Sequence, residues 1–258
     1  MFKKTAILSL MLLFTAGCSL QTTDNEDQSE RVEETVDPID LRVAGIGDSL
    51  TEGIGDESDK GGYQENLLSL LEKNEDVANV EFSHLGKKGL SSSGLVERME
   101  NGSIEPIVKD ADAIIITIGG NDIMNTAKKN YKNLKKQQFD DQLEAFSENV
   151  TYIINGISEI NGDADIYLVG LYNPFEPLVS SIQEFEDIMN NWNNRIESID
   201  RDNEHVHYVE ISPYFRNKTD SLIYEEDFFH PNAAGYSIMG EEIYKAIETY
   251  TIPRLLEG

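Results

Sequence analysis

Residues 41–50 read Leu-Arg-Val-Ala-Gly-Ile-Gly-Asp-Ser-Leu, an apolar run that ends in a turn. Leu41 to Ile46 is a short, mainly apolar run, with the length and continuity of a strand buried on both faces. Gly47-Asp48-Ser49 then interrupts it with turn-forming residues. Four further runs have the same character: Val80 to Leu85, Ala113 to Ile118, Ile166 to Leu171 and Val206 to Ile211. Helical patterns lie between them. Phe139, Leu143, Phe146, Val150, Ile153, Ile157 and Ile160 are spaced alternately by four and three, which makes one apolar stripe. Ile182, Phe185, Met189, Trp192, Ile196 and Ile199 repeat it, and residues 64–73 and 233–250 carry shorter or mixed versions. Five buried strands with helical connections predict an α/β fold, a three-layer α/β/α sandwich around a five-stranded parallel sheet. Ligands in such folds bind outside the carboxyl ends of the strands, so the loops after each strand are where chemistry is expected. No internal repeat and no second domain boundary is visible.

The chain outside that pattern has a different character. Lys3 and Lys4 precede the apolar run Ala6 to Phe14, which has the length of a signal core and not of a membrane span. Thr15-Ala16-Gly17-Cys18 follows and resembles a bacterial lipobox, with Thr15 where Leu is usual. Residues 1–17 are therefore read as a lipoprotein signal peptide and Cys18 as the lipidated new N-terminus. The predicted location is the extracytoplasmic face of the cell membrane of a Gram-positive type bacterium. Ordinary signal cleavage beside an incidental cysteine is the alternative. Residues 19–38 hold seven acids, one Arg and almost no large apolar side chain, so they cannot bury enough surface to fold. Residues 18–38 are read as a flexible acidic tether and 39–258 as the globular domain.

Composition narrows the function. The 258 residues include 48 acids against 21 Lys and Arg, a formal net charge of −27. That balance argues against nucleic-acid binding, which needs clustered cations to neutralise phosphates. It also argues against adsorption to anionic lipid through a basic face. One cysteine allows no intrachain disulfide.

Four of the loops carry residues with chemical potential. Gly47-Asp48-Ser49-Leu50 puts a serine hydroxyl at a strand-to-helix turn, although Gly-Asp-Ser is also ordinary turn chemistry. His84-Leu85-Gly86-Lys87-Lys88-Gly89 follows the second run, with glycines that allow close backbone approach. Ile118-Gly119-Gly120-Asn121-Asp122 follows the third and offers a side-chain amide, a suitable donor to an oxyanion. Asp227-Phe228-Phe229-His230-Pro231-Asn232 comes after the fifth. An Asp three residues before a His can orient the imidazole. The same pair can be half of a metal site, but no further His or Cys stands at ligand spacing, and His205 and His207 alternate on a strand. Pro231 and Asn232 fit the start of the last helix, with Asn able to cap it.

Taken in this order, Gly47-Asp48-Ser49-Leu50, Gly89, Gly119-Gly120-Asn121-Asp122 and Asp227-x-x-His230 resemble the GDSL (SGNH) hydrolase superfamily over about residues 40–250. The resemblance implies a flavodoxin-like sheet and a serine esterase or lipase-type acylhydrolase cleaving carboxylic esters or thioesters. It implies Ser49 as nucleophile, His230 as base and Asp227 as its orienter. It implies an oxyanion hole of the Ser49 and Gly89 N–H groups and the Asn121 amide. No cofactor or metal is implied. His84 stands where the family's second block usually has Asn. Asp48 and Asp122 flank the expected site as turn-bracing residues and, with Tyr172 and Asn173 of the Tyr172-Asn173-Pro174-Phe175 segment, are the candidates for lining a pocket. The expected partners are a small-molecule, lipid or wall acyl ester and the membrane reached through Cys18.

Two other readings use the same scaffold. A non-catalytic binding lipoprotein would have no use for Ser49, Asn121, Asp227 and His230 together, and a flavodoxin-like FMN binder would be coloured. Lys128, Lys129, Lys132, Lys135 and Lys136 form a basic run after the Asn121 loop. They are either a solvated surface or a rim that attracts an anionic substrate.

Overall fold

The structure, a computed structural model, describes residues 37–174, 183–201 and 203–258. The expected signal peptide (residues 1–17), Cys18, the expected tether up to residue 36, Phe175 and Ile182 lie outside the described residues.

Five strands form one parallel sheet: β1 (Ile39–Gly47), β2 (Val77–Gly86), β3 (Ala113–Thr117), β4 (Asp165–Val169) and β5 (Val206–Val209). Their order is β2-β1-β3-β4-β5. The chain leaves β1 towards one side for β2 and returns to the other side for β3. That reversal puts a crevice outside the carboxyl ends of β1 and β3, where α/β folds collect ligands. The register levels these ends, because Gly47 pairs with Gly86 on one side and Thr117 on the other.

Side chains alternate strictly between the faces, as pleating requires. Ala44, Ile46, Ile114, Ile116, Ile166 and Leu168 enter one core. It is covered by α3 (Ser92–Glu100), α4 (Glu105–Val108), α5 (Gly120–Asn130), α6 (Lys136–Ile160) and α7 (Gln183–Arg201). Leu41, Val43, Ala113, Ile115, Tyr167 and Val169 enter the other core. It lies under α2 (Tyr63–Leu71), α10 (Ala233–Thr249) and α11 (Thr251–Glu257), with the short α8 (Ser212–Phe215) and α9 (Thr219–Leu222) beside them. A single turn, α1 (Ser49–Glu52), follows β1 directly. The α6 stripe is buried from Phe139 to Ile157 and the α7 stripe from Phe185 to Ile199.

The strands depart from their sequence reading in two ways. β2 is an edge strand, and Val80 to Leu85 are half-buried or exposed instead of fully buried. β4 and β5 stop before Leu171 and Ile211, although both residues are buried. Burial continues past the ladder because a side chain replaces a strand neighbour: Asn193 of α7 accepts from Leu171 N–H at 2.7 Å and donates to its carbonyl at 2.8 Å. The 233–250 pattern breaks at Tyr250, which separates α10 from α11.

Candidate active site

β1 ends in a forced turn. Gly47 has φ +142°, and a Cβ there would sit 2.1 Å from the Thr117 carbonyl oxygen, so only glycine lets β1 and β3 approach this closely. Asp48 N–H donates to that carbonyl at 2.9 Å. The Asp48 carboxylate caps α1 by accepting Leu50 N–H at 3.0 Å. Ser49 is therefore the first residue of the turn, buried, with its hydroxyl at the sheet edge.

His230 reaches the same point from the other end of the chain. Its Nε2 lies 2.8 Å from Ser49 Oγ and its Nδ1 lies 2.6 Å from Asp227 Oδ2. With Nδ1–H donating to the carboxylate, Nε2 is left to accept the serine proton. The second carboxylate oxygen accepts Phe229 N–H at 2.9 Å and His230 N–H at 3.0 Å. Burial acts to raise the Asp227 carboxyl, but the His230 ring and these two N–H groups outweigh it and hold it below its ordinary range. The loop is pinned on both sides. Tyr224 N–H donates to the His230 carbonyl at 2.8 Å, and the Tyr172 hydroxyl donates to the Phe229 carbonyl at 2.7 Å. Asn232 caps α10 by accepting Gly235 N–H at 3.0 Å, so Pro231 precedes the cap instead of lying in the first turn.

The other two loops are tied to the nucleophile turn. Lys87 N–H donates to the Gly47 carbonyl at 3.0 Å, and the Glu52 carboxylate accepts Lys88 N–H. Gly89 has φ +80° with nothing within 4 Å of a built Cβ, so the backbone conformation alone calls for glycine there. Asn121, second residue of α5, donates one amide hydrogen to the Leu90 carbonyl at 3.0 Å. That bond joins the amide to the Gly89 loop and leaves the other hydrogen available. Among the described residues, neither Ser49 N–H nor Gly89 N–H is taken up by a protein acceptor. His84 is exposed on β2, its ring 6.4 Å from that of Phe82.

Asp48 and Asp122 both brace loops. Asp122 accepts Ser92 N–H at 2.9 Å and the Ser92 hydroxyl at 2.7 Å, which fixes the start of α3 against α5. Asp48 ends a buried chain of hydroxyls. Thr117 Oγ1 donates to it at 3.0 Å and lies 2.8 Å from Thr51 Oγ1, which lies 3.2 Å from the Tyr63 hydroxyl. Each hydroxyl has one proton, so Thr117, which donates to Asp48, accepts from Thr51, and the Ile46 carbonyl 3.4 Å from Thr51 Oγ1 competes for that same Thr51 proton. Burial raises the Asp48 carboxyl to about 7, against the lowering effect of Leu50 N–H and the Thr117 hydroxyl. A carboxyl raised in the fold favours the folded state while protonated, so its contribution falls as pH climbs from about 4 to about 7. Asp48→Asn keeps an acceptor oxygen and cannot ionise. Its Tm relative to the parent chain is expected to rise from pH 5 to about pH 7 and level off above it, and an unchanging difference would show that Asp48 does not titrate there.

A narrow, mainly apolar cleft opens beside Ser49. Its walls include Leu50, Ile123, Met124, Leu171, Phe185, Met189 and Phe229, with Asp48, Tyr172 and Pro174. Tyr172 lies on this wall. Asn173 does not border this cleft, and Asp122 borders a different one on the other flank of α5. Sequence reasoning missed the apolar walls, although Ile123 and Met124 stand directly after Asn121-Asp122 and were open to inspection. The lysine run is divided: Lys128 and Lys129 close α5, Lys132 lies 5.5 Å from the Tyr131 ring centre, and Lys136 pairs with Asp140 at 2.7 Å. Lys129 borders the second cleft, with Asn125 and Asp141. Among the described residues, no group of three or more His, Cys, Asp or Glu is placed to hold a metal ion, and no helix is long and apolar enough to cross a membrane.

A family model described as the GDSL-like lipase/acylhydrolase family matches residues 46–238. The chain is 34% identical over 247 residues to the protein called "Uncharacterized protein YpmR" of Bacillus subtilis, covering 95% of this chain and 96% of that one. It is 26% identical over 212 residues to the spore germination lipase LipC of Bacillus licheniformis, covering 80% and 96%. Among solved structures, the lipase Lip_vut3 from a goat rumen metagenome has a TM-score of 0.72 at 24% identity, covering 80% of this chain and 97% of that one. The acetylxylan esterase Axe2 from Geobacillus stearothermophilus has a TM-score of 0.61 at 17% identity, covering 82% and 95%. At these identities the last two likenesses are of fold.

Proposed function

The chain belongs to the GDSL-like lipase/acylhydrolase family and is an ester hydrolase; from that premise we propose that it is a serine esterase in which Ser49, His230 and Asp227 act as one unit, held outside the cell by a lipid on Cys18. The observation that carries the catalytic part is the unbroken line of contacts, 2.8 Å from Ser49 Oγ to His230 and 2.6 Å from His230 to Asp227. Ser49 Oγ attacks the ester carbonyl carbon while its proton passes to His230 Nε2. The charge that develops on the carbonyl oxygen is met by the free N–H groups of Ser49 and Gly89 and the free Asn121 amide hydrogen. Collapse breaks the bond to the alcohol, which leaves with the proton from His230, and Ser49 is acylated. Water then gives a proton to His230 and attacks the acyl carbon. Ser49 departs with that proton, and the carboxylic acid is released. Asp227, kept ionised by its hydrogen bonds, favours the imidazolium that each step needs.

A fluorophosphonate probe is expected to label Ser49, with labelling lost in Ser49→Ala. A parent chain that resists the probe and hydrolyses no p-nitrophenyl ester would overturn the reading. Asn121→Ala is expected to slow turnover by about 10²–10³. Because the charge arises only in the transition state, the loss should fall on kcat and leave KM nearly unchanged. A change in KM alone would make Asn121 a ground-state contact.

Localisation rests on the Lys3-Lys4 pair, the Ala6 to Phe14 run and the Thr15-Ala16-Gly17-Cys18 motif. Two acyl chains give stable attachment where one binds only marginally. Cys18→Ala is expected to release the protein or leave the precursor unprocessed. A cleaved Cys18→Ala form that still sediments with membranes would exclude lipidation as the attachment.

A further inference from the structure

We propose that the turn joining α5 to α6 is a membrane-contact surface, where the lysines of residues 128–136 meet anionic phospholipid headgroups and Tyr131 and Leu134 enter the bilayer interface. No acid stands between Asp122 and Asp140, and Lys128, Lys129, Lys132, Lys135 and Lys136 in that interval are five of the chain's 21 Lys and Arg. Of the two bordering acids, Asp122 is buried on Ser92 and Asp140 neutralises Lys136 alone. Among the described residues, Lys128, Lys129, Lys132 and Lys135 form no ion pair. Apolar side chains stand between these cations. Tyr131 is 72% exposed, the most of any large hydrophobic residue described, and Leu134, at 43%, is the one aliphatic residue among those exposed. A loose turn does not account for this. Asn133 N–H donates to the Asn130 carbonyl at 2.8 Å, and Gln138 of α6 accepts Lys135 N–H at 3.0 Å and donates to the Asn133 carbonyl at 3.3 Å. The turn thus has a fixed backbone that keeps an aromatic ring and a leucine in water.

An anionic bilayer answers both features at once. A lysine ammonium settles at phosphate level while its stem lies along apolar surface, and a tyrosine ring is favoured where one end is apolar and the other wet. Leu134 separates a bilayer from a soluble polyanion, which would match the lysines but give a leucine no apolar medium to enter. The net charge of −27 argues against adsorption of the chain through an average face. Exposed charges are screened beyond about 8–10 Å at physiological salt, however, so at contact the lysines of the turn outweigh acids on distant elements. Neither the esterase chemistry nor a lipid on Cys18 is needed for this contact, but it has a consequence for the site. α5 begins beside Asn121 and rises about 1.5 Å per residue, which puts Lys128 about 10 Å along its axis from that residue. Seating the turn on a membrane therefore brings the end of the sheet that bears Ser49 close to the lipid.

The full chain, carrying Cys18→Ala in every variant so that no acyl anchor contributes, tests this on vesicles of phosphatidylcholine with or without phosphatidylglycerol. An environment-sensitive fluorophore on Asn133→Cys is expected to shift to the blue and brighten on vesicles containing phosphatidylglycerol, and to stay unchanged on phosphatidylcholine alone. The same label on Glu72→Cys, at the end of α2 on the opposite face of the sheet, should not respond. Changing all five lysines to Gln should weaken binding to the phosphatidylglycerol vesicles about 30- to 100-fold, at roughly fivefold for each lysine that reaches the headgroups. Tyr131→Ser with Leu134→Ser should weaken it about tenfold and remove the blue shift even where binding is saturated. These are surface changes, and the parent Tm should be kept in each. No shift at Asn133 on phosphatidylglycerol vesicles, or an equal shift at Glu72, would overturn the membrane-contact surface. So would a Tyr131→Ser, Leu134→Ser chain that binds as tightly as the parent and is displaced by soluble polyphosphate, which would make the run a site for polyanions in solution.

Discussion

Ser49→Ala is expected to hydrolyse p-nitrophenyl esters slower than the parent chain by a factor on the order of 10⁶ in kcat. That factor corresponds to about 8 kcal/mol of lost transition-state stabilisation, more than any other single change proposed for this protein. The size follows from the loss of the covalent route. Without Oγ there is no acyl-enzyme, and His230, whose Nε2 now lies 2.8 Å from that atom, has no nucleophile to activate. His230→Ala should cost nearly as much, since an un-ionised hydroxyl is a weak nucleophile without an adjacent base. The double variant should lose little beyond either single one, because the residues act as a unit. Single-turnover and steady-state rates of the three variants measure this directly. Losses that add on a logarithmic scale would show that the two residues act independently. Residual activity above the uncatalysed rate is expected to survive in all three and to depend on Asn121, because the oxyanion donors remain.

The second large effect concerns stability and lies at the opposite end of the sheet. Asp165, first residue of β4, is buried and accepts from Thr251 Oγ1 at 2.8 Å and Arg254 Nε at 3.0 Å. His207 Nε2 lies 3.2 Å away and His205 Nδ1 3.3 Å away. It therefore holds α11 and β5 to the base of β4. Asp165→Ala would take the buried carboxylate from Thr251, His207 and the Arg254 guanidinium, which keeps only a 3.4 Å contact to the Asp112 carbonyl, a loss of about 3 kcal/mol. For a domain of this size, that is a fall in Tm of about 10 °C, read by calorimetry at pH 7. At temperatures where the variant is folded, kcat should be unchanged, because Ser49 lies beyond the other ends of the strands. A comparable loss of kcat would mean that the two ends of the sheet are coupled. Acid should act in the same way. Burial tends to raise the Asp165 carboxyl, but His207, Thr251 and Arg254 outweigh it and bring it down to about 2, from an ordinary 3.8. A carboxyl lowered in the fold contributes fully above its unfolded value and loses that contribution as pH falls through the folded one. The stability difference between parent and Asp165→Ala should therefore hold from pH 7 to about pH 5 and shrink between pH 4 and pH 2.

Much of this was legible in the chain itself. The runs at Ala113 to Ile118 and Leu41 to Ile46 announced buried strands because residues covered on both faces are mainly apolar, Arg42 being the one exposed interruption. The α6 stripe was equally plain, since a helix covering one face of a sheet repeats its apolar residues every three or four positions. β2 was harder to read. As an edge strand it is half solvated, so Phe82 and Leu85 gave the appearance of a core strand that the burial of their neighbours does not support. The ends of β4 and β5 were misjudged for another reason. Leu171 is buried, and burial is what hydrophobicity reports, but its backbone partner is the Asn193 side chain, twenty-two positions away.

Local chemistry written in consecutive residues could be read from the sequence alone. The turn at Gly47-Asp48-Ser49, the Asn232 cap and the pairing of Asp227 with His230 three positions later all depend on groups whose spacing the covalent backbone restricts. The order of the blocks then pointed to one site. Only the tertiary structure decided what those groups meet. Ser49 and His230 are 181 residues apart, and their 2.8 Å contact exists because β1 ends level with β3 beneath the loop that precedes α10. The acid-to-hydroxyl chain from Asp48 through Thr117 and Thr51 to Tyr63, and the apolar cleft shared by α5, α7 and the His230 loop, left no pattern in the sequence. Apart from the adjacent pairs Ile123-Met124 and Leu171-Tyr172, their members are scattered among other residues of ordinary buried character. Hydrophobic periodicity says which residues are buried, and the packing of the layers decides which of them touch.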